Sequence, residues 1–200
     1  MEILIYTGNQ GKIQEFKEIL AIPSFKFQYA SELNIDTGVE ETGSTFVENA
    51  IIKARDGARQ ANMPCIADDS GIMVDCLGGQ PGVFSARYAG IGAKNSINIE
   101  KLLKDLSDFP PNQRTARFVC CIVYLRSYID PCPIICLATM EGLITEKPSG
   151  QNGFGYDPVF YLPEYQKTAA EIPPSLKHSI SHRGKALNKL KNKLTKTLTD

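Results

Sequence analysis

Neither sign of charge is in excess: Lys plus Arg and Asp plus Glu each number 22 in 200 residues, for a formal net charge of zero. Broad nucleic-acid binders carry a strong basic surplus, so the balance argues against nucleic acid as a partner. It leaves room for a local patch that gathers a small anion. Long apolar runs are also missing. No stretch approaches the roughly 18 uninterrupted apolar residues of a membrane-crossing helix, so no membrane partner is expected. The opening run Met1-Glu2-Ile3-Leu4-Ile5-Tyr6 has no basic segment and no processing site. It reads as a first strand rather than a signal peptide, and the expected compartment is the cytoplasm. Cysteines at Cys-x-x-Cys spacing are absent. The six cysteines (Cys65, Cys76, Cys120, Cys121, Cys132, Cys136) lie mostly in apolar runs, the pattern of buried reduced thiols. Pro133 disfavours a helix that would align Cys132 with Cys136. The P-loop pattern, the dinucleotide fingerprint and the Gly-x-Ser-x-Gly elbow are all lacking, which sets aside the enzyme classes built on them.

What is present is ordinary globular composition, 42% apolar and 22% charged. A chain of this length buries a core without disulfides or a structural metal. It amounts to one domain, or two joined lobes, over residues 1–200. Strand and helix signals alternate. After the first strand and the turn Gly8-Asn9-Gln10-Gly11, the spacing of Ile13, Phe16, Ile19 and Leu20 predicts a helix that Pro23 closes. Residues 25–30 suit a strand and 31–44 a loop. Thr45 and Glu48 have capping-box spacing, and Ala50, Ala54 and Ala58 give the following helix a small-residue face. Cys65-Ile66-Ala67 reads as a short buried strand that ends at Asp68-Asp69-Ser70-Gly71. Residues 95–105 read as helix, Phe118–Leu125 and 134–140 as paired strands, 148–158 as a Gly-rich loop, and Pro173-Pro174 as a break. Leu187, Leu190, Leu194 and Leu198 mark one face of a last helix, with Lys189, Lys191, Lys193 and Lys196 as a solvated face. The expected architecture is α/β: a mixed sheet with a second lobe inserted in its middle.

Three clusters carry chemistry. Thr7-Gly8-Asn9-Gln10-Gly11-Lys12 joins the first strand to the first helix, where ligands of open α/β sheets bind. Its backbone N–H groups, the helix N-terminus and the Lys12 charge suit a phosphate, although a plain tight turn has the same residues. Asp68 and Asp69 at the end of an apolar strand are costly unless paired, solvated or bound to a cation. Strand alternation keeps them from pointing the same way, so one is free to hold a metal while the other braces the loop. Glu40, Glu41 and Glu48 are placed to approach the same point. Oxygen ligands without His or Cys suit Mg²⁺ or Mn²⁺, which also contact substrate phosphates. In the third cluster, Phe154 and Tyr156 of Gly153-Phe154-Gly155-Tyr156-Asp157-Pro158 either cover a planar base or pack in the core. Downstream lie Lys177, Ser181, Arg183 and the chain's only two histidines, His178 and His182, which read as donors rather than metal ligands.

Taken together in order and spacing, these clusters resemble the inosine triphosphate pyrophosphatase family. The resemblance includes Thr7-Gly8-Asn9 with Lys12, Glu41-Thr42-Gly43 running into Phe46-Val47-Glu48-Asn49-Ala50, and Ala67-Asp68-Asp69-Ser70-Gly71. It continues through Gly78-Gly79, Pro81-Gly82, Ser85-Ala86-Arg87-Tyr88, Gly153-Phe154-Gly155-Tyr156-Asp157-Pro158 and Ser181-His182-Arg183-Gly184, from residue 3 to about 190. It implies an elongated α/β fold of two lobes around a central mixed β-sheet, with the active site in the cleft between lobes, commonly as a homodimer. The implied reaction converts the nucleoside triphosphates ITP, dITP and XTP to monophosphate and pyrophosphate with Mg²⁺, clearing deaminated purines from the nucleotide pool. Carried over by motif, Asp69 is the catalytic acid–base position, either as general base or by positioning a metal-bound water. Glu41 and Asp69 are the Mg²⁺-associated acids. Thr7, Gly8, Asn9, Gln10, Gly11, Lys12 and Lys177 handle the triphosphate. Ser70, Phe154, Gly155, Tyr156, Asp157, His182 and Arg183 line the nucleotide site.

Overall fold

Four of the five residues of β1 (Glu2–Tyr6) are buried, and the strand lies between two parallel neighbours, β2 (Lys26–Tyr29) and β3 (Cys65–Val74). Parallel neighbours need crossover segments. Helix α1 (Gln10–Ile19) supplies the first and α2 (Phe46–Ala61) the second. Strands β4 (Thr115–Leu125), β5 (Ile134–Ile144), β6 (Phe160–Leu162) and β7 (Lys167–Thr168) complete a seven-stranded sheet of order β2-β1-β3-β4-β5-β6-β7. The pairs β5–β6 and β6–β7 are antiparallel, so the sheet is mixed, as the sequence suggests. The remaining helices are α3 (Asn95–Asp105), α4 (Pro174–Ile180) and α5 (His182–Thr197). The structure is a computed structural model and describes residues 1–197. Leu198, expected on the face of the last helix, lies outside the described residues. Among the described residues no helix is long and apolar enough to cross a membrane.

The chain forms two compact units, each with its own core. Among the described residues the first comprises 1–69, 120–138 and 183–197, and the second 70–119 and 139–182. The second unit is therefore two segments rather than one insertion, because the unit boundaries fall inside β3, β4 and β5. Strands of ten or eleven residues are long enough to serve two cores in succession. In the first unit Ile3, Ile5, Phe16, Ile66 and Ile122 pack with Leu187, Leu190 and Leu194 of α5. In the second, Ile72, Leu102, Leu106, Phe118 and Phe160 form the centre.

Local rules explain several boundaries. Thr45 caps α2: its hydroxyl accepts from Glu48 N at 3.2 Å, and Glu48 Oε2 accepts from Thr45 N at 2.9 Å. Glu48 is thereby committed to the cap and is not one of the clustered acids; Glu40 is exposed. The small face of α2 allows close approach. A Cβ on Gly57 would fall 2.5 Å from the Tyr6 ring. Pro174 opens α4 instead of breaking the chain, since the first helical position needs no N–H. Lys189 and Lys193 are not simply solvated: their ammonium groups donate to Leu137 O (2.7 Å) and Ile135 O (3.2 Å) at the start of β5. The six cysteines are all free thiols.

Candidate active site

The strand expected to stop at Asp68 runs on to Val74, so the two acids sit inside β3. Buried carboxylates in a strand require counter-charges, and these arrive from distant parts of the chain. Asp68 is 1% exposed. Its Oδ2 meets Lys12 Nζ at 2.9 Å and Arg183 Nε at 3.3 Å. Arg183, 2% exposed, also donates to Glu15 at 2.5 Å. Asp69 engages a different cation, as alternation demands: its Oδ1 lies 2.7 Å from Lys53 Nζ, which also lies 2.9 Å from Glu41 Oε1.

Environment pushes the two adjacent carboxyls apart. Burial alone would raise Asp68, but Lys12, Arg183 and Lys53 overcome it and hold the carboxyl well below the usual aspartate range. Burial dominates at Asp69 and raises it, with Lys53 opposing and Glu41 assisting. Burial would lower Lys53, yet Asp69, Asp68 and Glu41 keep it above its ordinary value. Asp69 Oδ2 and Asp68 Oδ1 are buried and accept no hydrogen bond from the described residues. These ion pairs link three cations (Lys12, Lys53, Arg183) with four acids (Glu15, Glu41, Asp68, Asp69).

The first turn is built to expose donors. Asn9 caps α1, its Oδ1 accepting from Lys12 N at 3.2 Å, while Thr7 Oγ1 accepts from Asn9 N at 3.2 Å. The N–H groups of Gln10 and Gly11 are then the open donors of the first helical turn. Gly8 lies close to the following loop: a Cβ there would stand 2.7 Å from Thr37 Oγ1, which would have to turn away.

Residues Thr7 to Lys12, Glu41, Asp69 and Arg183 thus fall in the first unit, and Ser70, Phe154 to Asp157, Lys177 and His182 in the second. There, Asp157 Oδ2 accepts from Lys177 Nζ at 2.5 Å and from Phe154 N at 2.8 Å. The Lys177 ammonium stands 5.2 Å from the Phe154 ring centroid, within cation–π range. Gly153 has φ +76°, and a Cβ on it would collide with Asp157 Oδ2 at 2.1 Å. Tyr156 packs in the core, its hydroxyl donating to Ser85 O at 2.8 Å, so of the two aromatics only Phe154 is partly exposed. His182 stacks on Phe118, with ring centroids 4.8 Å apart. Ser70 is half-buried on β3. Arg183, expected against a base, instead has its guanidinium between two carboxylates.

Nothing in the sequence reading singles out Lys53 or Glu15, although a signal exists. Lys53 interrupts the small face of α2, between Ala50 and Gly57 at helical spacing. Glu15 lies three residues after Lys12 on the buried side of α1.

The donor set fits a hard divalent cation. Two carboxylates, Glu41 and Asp69, converge on one ammonium, and one of them has an open buried oxygen. Among the described residues no three His, Cys, Asp or Glu side chains form a metal-holding group. That set suits Mg²⁺, which is held by one or two carboxylates together with waters and substrate phosphates rather than by an all-protein cage.

The sequence pattern of the Ham1 family matches residues 3–193. The dITP/XTP pyrophosphatase of Legionella pneumophila (strain Lens) is 51% identical over 190 residues, 95% of this chain and 96% of that protein. The dITP/XTP pyrophosphatase of Escherichia coli O157:H7 is 49% identical over 189 residues, 94% and 95% of the two chains. Among solved structures, a HAM1 protein from Coxiella burnetii superposes with a TM-score of 0.91 at 46% identity, covering 98% of this chain and 99% of that one.

Proposed function

The chain belongs to the Ham1 family, and we propose that it hydrolyses ITP, dITP and XTP to monophosphate and pyrophosphate, removing deaminated purines from the nucleotide pool. The observation that carries this reading is near-half identity to dITP/XTP pyrophosphatases along almost the whole chain. The reaction centre is assigned to Asp69. Lys53 fixes its Oδ1, and its Oδ2 is buried without a donor among the described residues. A carboxylate raised by burial is a better proton acceptor, so Asp69 Oδ2 takes a proton from the attacking water. Asp68 stays ionised and orients Lys12, whose ammonium, with the open N–H groups of Gln10 and Gly11, binds phosphate oxygens. Thr7, Gly8 and Asn9 hold that turn in shape.

Glu41 and Asp69 would hold Mg²⁺, which when bound neutralises phosphate charge and polarises phosphorus. Lys177, Ser70, Phe154, Gly155, Tyr156, Asp157 and His182 are assigned to the nucleotide. Phe154 offers the ring face, and Tyr156 and Asp157 set the loop that presents it. Readout of the 6-keto oxygen is assigned to donors at the start of α5, around His182. Adenine would oppose a donor with a donor, and a buried unpaired group costs about 1–3 kcal/mol, roughly tenfold to over a hundredfold in selectivity. Arg183 acts through Asp68. Work on the nucleotide pool suits a cytoplasmic protein, and the family resemblance supports a homodimer.

Product analysis with ITP, XTP, ATP, GTP, dUTP and CTP, with and without Mg²⁺, tests the proposal. The expected result is fast Mg²⁺-dependent release of pyrophosphate from ITP and XTP and slow turnover of ATP and GTP. Orthophosphate as the first product would move the cleavage to the γ-phosphate and overturn it.

A further inference from the structure

The loop that carries Glu41 is gripped at two points by α2. Lys53 takes the Glu41 carboxylate at 2.9 Å. One helical turn earlier on the same buried side, Asn49 Oδ1 accepts from Gly43 N at 2.8 Å. Asn49 is fully buried. Gly43 has to be glycine for this approach, since a Cβ would lie 2.5 Å from Glu48 Cβ and 2.7 Å from Asn49 Oδ1. Capping of α2 does not need Asn49, because Thr45 and Glu48 already exchange both cap bonds. Its bond leaves the helix and ends two residues from Glu41. Gly43 N is a donor, so the amide orientation is settled: Oδ1 faces Gly43, and Nδ2 is a buried donor without an acceptor among the described residues.

We propose that Asn49 is a positioning residue, holding Glu41-Thr42-Gly43 against α2 so that the Glu41 carboxylate is preorganised for a divalent cation. The inference rests on the reading above that Glu41 and Asp69 hold Mg²⁺. Replacing Asn49 by Ala removes the acceptor of Gly43 N and leaves a small cavity, so a modest loss of stability is expected whatever its role. Cation binding is the readout that separates positioning from plain stability.

The test titrates the full-length protein with Mn²⁺, followed by electron paramagnetic resonance of the free ion, alongside thermal melts and the Mg²⁺ dependence of ITP hydrolysis. For Asn49→Ala the Mn²⁺ dissociation constant and the half-saturating Mg²⁺ concentration should both rise about tenfold, as loss of one hydrogen bond of ordinary strength allows. The rate at saturating Mg²⁺ should stay within about threefold, and Tm should fall by no more than roughly 4 °C. Asn49→Asp keeps an acceptor for Gly43 N and should restore Mn²⁺ binding; it also keeps the test open if the alanine variant folds poorly. A lower Tm with unchanged Mn²⁺ and Mg²⁺ dependence would reduce Asn49 to a structural clamp. Asn49→Asp binding Mn²⁺ as weakly as Asn49→Ala would overturn the proposal too. Wild-type protein that turns over ITP equally well in chelator would remove the metal reading itself, and this inference with it.

Discussion

The two units bury charge in different ways. In the first, three cations and four acids from residues 12, 15, 41, 53, 68, 69 and 183 interlock, and both Asp68 and Asp69 keep a buried oxygen that accepts no hydrogen bond from the described residues. In the second, Lys177 and Asp157 pair, and Asp157 Oδ2 also accepts from the Phe154 N–H. That arrangement shapes a loop. A carboxylate oxygen buried without a donor is costly, and a cation or a proton relieves the cost.

The largest expected effect falls in the first unit, at Asp69. Asp69→Asn should lower kcat for ITP by about 10³-fold or more while circular dichroism stays unchanged. Near-normal turnover with saturating Mg²⁺ would refute the assignment. The same carboxyl sets a pH dependence. Because burial raises Asp69, the acid limb of kcat/KM should lie above the ordinary carboxylate value of about 4. Lys53 opposes that rise, so Lys53→Met should move the limb higher still in whatever activity remains; a limb that moves down would contradict the role given to Lys53.

Stability sharpens the comparison. Asp68→Ala leaves the buried Arg183 and the half-buried Lys12 without their shared carboxylate and should cost about 3–5 kcal/mol in urea unfolding at neutral pH. Lys177→Met, which leaves Asp157 its backbone donor, should cost less, roughly 2–3 kcal/mol. The Asp68 contribution depends on pH in a fixed direction. Its folded value is depressed, so the stabilisation is present above the ordinary aspartate value and disappears as pH falls through the lower folded value. Equal costs for the two variants would mean that the denser network adds nothing.

Within the second unit, two glycines should respond unequally. Gly155 has φ +63° with open space around it, and Gly155→Ala should cost about 1 kcal/mol in left-handed strain. Gly153→Ala adds a collision with Asp157 and should cost at least about 2 kcal/mol, lowering Tm visibly more. The smallest effect belongs to the surface. Lys189→Ala with Lys193→Ala opens two carbonyls of β5 to water and should cost about 1 kcal/mol or less by the same melts.

Much of this was legible before any coordinates. The cap at Thr45 and Glu48, the helix over 95–105 and the Gly-rich loop over 148–158 follow from short-range rules, and each appears where those rules put it. Local reasoning went astray where distant residues intervened. Two adjacent acids looked like the end of a strand; with cations delivered by residues 12, 53 and 183, they are tolerated in its middle. Tyr156 carried two equal readings, and only the Ser85 carbonyl and the surrounding core resolve them. Arg183 looked like a hand extended to a base, and it is a buried brace between Glu15 and Asp68.

The sequence by itself determined the repertoire: a strand-to-helix turn rich in donors, a pair of strand acids, a glycine-bound aromatic loop, and a helix begun by its own capping box. Those features depend on neighbours within a few residues, where propensity and capping act. Only the tertiary structure decided which cation each acid meets, that Lys53 joins Asp69 to Glu41, and that Arg183 lies between Glu15 and Asp68. Those outcomes depend on burial and on Coulomb interactions over a few ångströms, between side chains as far apart in sequence as Glu15 and Arg183.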